Sequence, residues 1–139
     1  MSTVLGVVGD IHARWALLDE VLNALARGPR LNGVVLVGDF ACAGRGEHQR
    51  AQRKVEYLLA VDRALAMAKG LGVDVIYVPG NHDRPELSGW GNVDGKSVVV
   101  GDLRIGGIGG AGPDRMGFAY EWDERDVRGR PPLDVDVLV

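Results

Sequence analysis

The sequence predicts an α/β domain, a parallel-rich sheet with flanking helices. Three observations carry this. Short apolar, β-branched runs stand at 4–8, 34–37 and 73–78, the continuous kind expected of strands buried on both faces of a parallel sheet. Helical spacing fills the intervals between them. Each run ends in the same way, in a tight turn with a polar residue: Gly9-Asp10, Gly38-Asp39 and Pro79-Gly80-Asn81.

Taken in order, the first run leads to a helix from Trp15 to about Ala26. Its apolar residues Leu18, Val21, Leu22 and Leu25 recur at helical spacing, and Gly28-Pro29 stops it. After the second run and the loop Gly44-Arg45-Gly46, a long helix is expected over 48–69, closed by Gly70 and Gly72. The third run follows. Segments 98–100 and 103–105 read as two strands joined at Gly101-Asp102, a hairpin signal. A glycine-rich stretch follows at 106–112. Segment 113–132 has no clear period and reads as a loop, and 134–139 reads as a final strand. The order β-α-β-α-β implies right-handed crossovers and a mostly parallel core.

Composition sets the limits. The 139 residues suit one domain, and a chain of this size buries roughly 68% of its unfolded surface. With 46% hydrophobic and 25% charged residues the chain is globular rather than disordered. The formal net charge of -3 argues against nucleic acid as a stable partner, which calls for a basic face. It does not exclude a phosphate substrate, because a metal can supply positive charge locally. Cys42 is the one cysteine, so no intrachain disulfide forms. The N-terminus has no leader-like pattern, and no stretch approaches the roughly 20 apolar residues of a membrane helix. A soluble, cytoplasmic protein with no membrane partner is expected.

The chemistry lies in the three strand-end motifs. In an open α/β sheet the carboxyl ends of the strands share one edge, where ligand sites form. Asp10, His12, Asp39, Asn81 and His82 should therefore converge. Carboxylate, imidazole and amide oxygen suit ions such as Mn²⁺, Fe²⁺ or Zn²⁺. Asp10 and His12 are two apart, so an extended segment would point both the same way, toward one metal. Asp39 could bridge two metals about 3.5–4 Å apart, and Asn81 could offer its carbonyl oxygen to the second.

Together, Gly9-Asp10-Ile11-His12, Gly38-Asp39 and Gly80-Asn81-His82-Asp83 resemble the signature of the calcineurin-like metallophosphoesterases. The motif match spans residues 4–83, and 98–112 resembles the strands and glycine-rich turn that follow. The resemblance implies a phosphoesterase with two divalent metal ions (Mn, Fe or Zn). Asp10 and His12 would hold the first, Asp39 would bridge, Asn81 would hold the second, and His82 would be the general acid. A metal-bridging hydroxide would attack a phosphomonoester or phosphodiester. The fold implied is the N-terminal portion of a four-layer α/β/β/α sandwich.

The chain departs from that pattern in two places. The family's later histidine ligands are absent, since the histidines are His12, His48 and His82. A single domain over 1–139, truncated at its C-terminus, is the expectation, with one metal or none in this chain alone and little activity. An unfinished second sheet would leave an apolar face prone to self-association. A non-catalytic interaction scaffold, or an inactive fragment with a partial site, is the competing class. Second, the serine/threonine phosphatases of the superfamily read G-D-x-x-D-R, the second Asp orienting the catalytic His. Here Cys42 and Ala43 stand in those places, which favours the more varied phosphoesterases over protein phosphatases. Arg45 and Arg84 read as surface arginines that could contact phosphate, and His48 as a surface residue at a helix start.

Other signals rank lower. Gly107-Ile108-Gly109-Gly110-Ala111-Gly112 formally matches a dinucleotide fingerprint, but no helical pattern follows to receive a pyrophosphate; a tight loop lining the metal crevice is expected. Phe118, Tyr120 and Trp122 alternate, suggesting a β-ribbon packing one aromatic face on the core, with a substrate-contact lid as the other reading. Trp15 and Trp90 are expected to pack near the strand ends.

Overall fold

The structure is a computed structural model that describes residues 2–41, 54–85 and 89–139, with backbone alone for residues 54 and 55. Strands β1 (Leu5–Val8), β2 (Gly33–Val37) and β3 (Asp74–Val78) form one parallel sheet with β2 in the centre. Helix α1 (Trp15–Ala26) joins β1 to β2, and α2 (Lys54–Lys69) precedes β3. The expected start of that second helix at 48–53 lies outside the described residues. Strands β4 (Ser97–Val100) and β5 (Leu103–Gly106) pair antiparallel, and β6 (Val137–Leu138) adds in parallel beside β5.

Strand alternation builds two cores from the same strands. Val34 and Leu36 of β2, with Val75 and Tyr77 of β3, face the helices and pack with Leu18, Leu22, Tyr57, Val61 and Ala64. Val35, Ile76 and Val78 face the other way and pack with Val93, Val100 and Ile105 under the second sheet. Burial on both faces is why these strands read as unbroken apolar runs. The described residues thus form three layers: helices, parallel sheet, second sheet. That second sheet stops short of Val7 on the edge strand β1, which is 59% exposed.

Four expectations change. Segment 113–132 is not all loop, because α3 (Glu124–Arg128) lies within it. Five residues are too few to show a period. The Asp126 carboxylate accepts the Asp123 N–H at its start, and Arg128 pairs with Glu124 one turn back. The strand expected over 134–139 shrinks to two residues. The Asp134 and Asp136 carboxylates instead take the Arg104 guanidinium at 2.6 Å and its backbone N–H at 2.7 Å. Trp90 is not packed but 70% exposed, with the Lys69 ammonium 5.3 Å from its ring. Trp15 does pack against the core. No β-ribbon forms at 118–122, where one isolated bridge links Ala111 and Glu121.

Candidate metal centre

The loops after β1, β2 and β3 meet at the carboxyl edge of the parallel sheet. Backbone bonds join the first two: His12 N–H to Asp39 O (2.7 Å) and Ala13 N–H to Phe40 O (2.8 Å). The third loop joins through His82 N–H, which donates to Asp39 Oδ1 at 3.0 Å.

Asp83 ties the second and third loops more firmly. It is fully buried, and its carboxylate accepts three backbone N–H bonds: Asp39 at 2.6 Å, Gly80 at 2.8 Å and Phe40 at 3.0 Å. Burial pushes this carboxyl up to about 6, against the pull of those three donors. Asp83 was legible as part of a motif, but its three partners lie on two loops and could not be read from it.

The loops can come this close because Gly38 and Gly80 face each other. Gly38 has φ +75°, and a Cβ there would stand 2.1 Å from Gly80 N. We expect Gly38→Ala to cost about 3 kcal/mol, from left-handed strain and overpacking together. Urea denaturation measures it; a loss under about 0.5 kcal/mol would show that the loops can separate freely.

Three candidate ligands converge. Asp10, His12 and Asp39 each offer an atom within 4.8 Å of the others. His12 Nε2 is 3.6 Å from Asp10 Oδ1 and 3.9 Å from Asp39 Oδ2. Ligand bonds of about 2.1 Å place neighbouring donors about 3–4 Å apart, so the set fits one divalent ion. The Asp10 side chain is 84% exposed, that of His12 25% and that of Asp39 13%, which leaves an open side toward solvent.

The route to this geometry differs from the expected extended segment. Asp10 (φ +53°), His12 (φ +44°), Ala13 (φ +57°) and Asp39 (φ +55°) all adopt the left-handed region. Such residues cost about 1–3 kcal/mol each and persist where their surroundings over-determine them. Here the cross-loop backbone bonds do so. A tight coil rather than an alternating strand brings Asp10 and His12 to one side.

The third loop places His82 against this cluster. Its ring meets His12 edge-on, with centroids 4.9 Å apart, and stacks on Phe118 at 3.9 Å and 25°. Asn81 shares the loop, and its backbone carbonyl accepts the Tyr120 N–H at 3.1 Å. Arg84 is half-buried one residue past Asp83. Cys42, Arg45 and His48 lie outside the described residues.

The aromatic trio thus belongs to the site's wall. Tyr120 Oη donates to Asp94 at 2.5 Å, and Trp122 Nε1 donates to Gly109 O at 2.8 Å. Burial, then the bond to Asp94, raises the Tyr120 hydroxyl to about 12. The glycine-rich stretch backs the Asn81–His82 turn, with Gly110 N–H bonded to Pro79 O. Glycine is required at 112 because a Cβ would stand 2.6 Å from the Trp122 ring. No described helix follows this stretch until α3, so a dinucleotide site has no helix terminus to rest on. The alternation of 118, 120 and 122 was the available signal, but it does not say which surface the rings meet.

Fold and candidate ligands define an α/β protein that gathers donors of the kind a divalent metal takes at the carboxyl edge of its sheet. Across residues 3–133 the chain matches the family model for calcineurin-like phosphoesterases, and it belongs to that family. The family is one of phosphoester hydrolases that typically bind divalent metals. One solved crystal structure shares the fold with a TM-score of 0.68 at 13% identity, covering 89% of this chain and 60% of that chain. This chain therefore spans 60% of the length of the structure it matches. No curated protein matches it in sequence. No described helix is long and apolar enough to cross a membrane.

Proposed function

We propose that the protein is a metal-dependent phosphoesterase acting on a phosphomonoester or phosphodiester. The observation that carries this reading is the closure of Asp10, His12 and Asp39 around one point, with His82 packed on its rim. Asp10, His12 and Asp39 would hold one ion, and Asp39 with Asn81 would hold a second. Bound divalent ions supply the activation of water and the charge that offsets the oxygens of the reacting phosphorus. The chain's own part is positioning. Asp39 ties its carboxylate to His82 N–H, and Asp83 holds both loops in register. His82 delivers a proton to the leaving oxygen as its bond to phosphorus breaks. Phosphate is the class of substrate, and the acidic net charge is compatible with it once metal is bound.

The test is hydrolysis of p-nitrophenyl phosphate and its bis ester by the full-length protein across Mn²⁺, Fe²⁺ and Zn²⁺. Metal-dependent turnover that chelation removes supports the reading. The absence of turnover with every ion would leave the interaction-scaffold reading in its place.

A further inference from the structure

We propose that Phe118 is the positioning residue that orients the His82 imidazole for proton delivery. The inference rests on the phosphoesterase reading above and deepens it.

An acid is useful when its proton points at the leaving atom, so something must set the ring's rotation. A hydrogen bond at the far ring nitrogen is the common device. Among the described residues His82 lacks it: Nδ1 is buried with no hydrogen-bond partner. Packing among the described residues is what holds the ring. The Phe118 ring lies on the His82 face at 3.9 Å and 25°, and the His12 ring meets His82 edge-on at 74°. A ring packed against both a face and an edge cannot rotate without displacing one of them. With Nδ1 inside, Nε2 is the nitrogen that delivers the proton.

Phe118 is itself fixed. It is 9% exposed. Glu121 Oε2 accepts the N–H groups of Met116 (3.0 Å) and Gly117 (2.9 Å), closing the turn that carries the ring. Tyr120 ties the same segment to Asn81 O and to Asp94. Asp94 also faces the Arg130 guanidinium at 3.5 Å. The aromatic segment is therefore a brace anchored on both sides of Phe118.

Leaving-group dependence tests the proposal. A p-nitrophenolate leaves with little need of an acid, whereas phenolate needs one. In the full-length protein, Phe118→Leu should lower kcat for phenyl phosphate about tenfold, part of the roughly 10²–10⁴-fold that general acids supply. It should change kcat for p-nitrophenyl phosphate less than about twofold and leave KM unchanged. Phe118→Tyr, which keeps the ring, should restore both. The His82 ring protons provide a readout independent of turnover. In the wild type the aromatic face should shift them upfield in the NMR spectrum, and Phe118→Leu should release that shift while Phe118→Tyr keeps it. Equal losses on both esters, or His82 resonances unmoved in Phe118→Leu, would overturn the proposal. Absence of turnover on every ester would instead sink the phosphoesterase reading, with the resonances still deciding whether Phe118 holds the ring.

Discussion

Asp39→Asn should abolish metal-dependent turnover and weaken divalent-ion binding more than any other single change in the chain. Replacing a residue behind a ligand costs about 10–100-fold in affinity, and removing a charged ligand costs more. The amide is a sharp probe because it preserves the local structure. Its oxygen can still accept the His82 N–H that Asp39 Oδ1 accepts at 3.0 Å. Its NH₂ then replaces Oδ2, the atom 3.9 Å from His12 Nε2 that faces the proposed ion. A neutral donor there cannot bind a cation. Unfolding free energy in chelator should stay within about 1 kcal/mol of the wild type, because no backbone bond is lost. Calorimetric titration with Mn²⁺ reads the affinity, and unchanged binding would remove Asp39 from the ligand set.

Asp83→Asn should be the most destabilising conservative substitution at the site, by about 2–3 kcal/mol at pH 7. Both carboxylate oxygens accept backbone N–H groups: Oδ2 takes Asp39 and Gly80, and Oδ1 takes Phe40. Whichever way the amide turns, its NH₂ meets at least one N–H in a fully buried place and leaves it unsatisfied. Metal affinity should fall with it, since Asp39 N–H is one of the three donors. The variant should also lose a pH dependence. The folded carboxyl titrates near 6, raised first by burial, against 3.8 for its ordinary value. Between those values the folded state holds more protons than the unfolded state. This group's contribution is therefore fully present below about pH 4, is lost as pH rises to about 6, and is flat beyond. Urea denaturation in chelator from pH 4 to 7 should show that decline in the wild type and not in Asp83→Asn. An equal slope in both proteins would show that another group carries it.

These predictions mark how far local reading reaches. β2, β3 and α1 were legible because burial on both sheet faces writes an unbroken apolar run, and helical contact writes a period. The convergence of Asp10, His12 and Asp39 was legible too, since each follows a strand and parallel strands end at one edge. The backbone of that convergence was not. An extended D-x-H and a left-handed coil place the same two residues near one point, and only the cross-loop bonds to Asp39 O and Phe40 O select the coil. α3 escaped because its five residues are stabilised by one reaching carboxylate and one ion pair rather than by a period.

By itself, then, the sequence determined the fold class, the order of β1, α1, β2, α2 and β3, and the meeting of Asp10, His12 and Asp39 at their carboxyl edge. Those follow from periodicity and chain direction, which are local properties. The tertiary structure alone decided that Asp83 braces two loops, that Gly38 and Gly80 let them touch, and that Phe118 lies on His82. Each of those is a contact between segments tens of residues apart. Their energies come from burial, from satisfied backbone donors and from ring against ring, none of which leaves a repeat in the sequence around it.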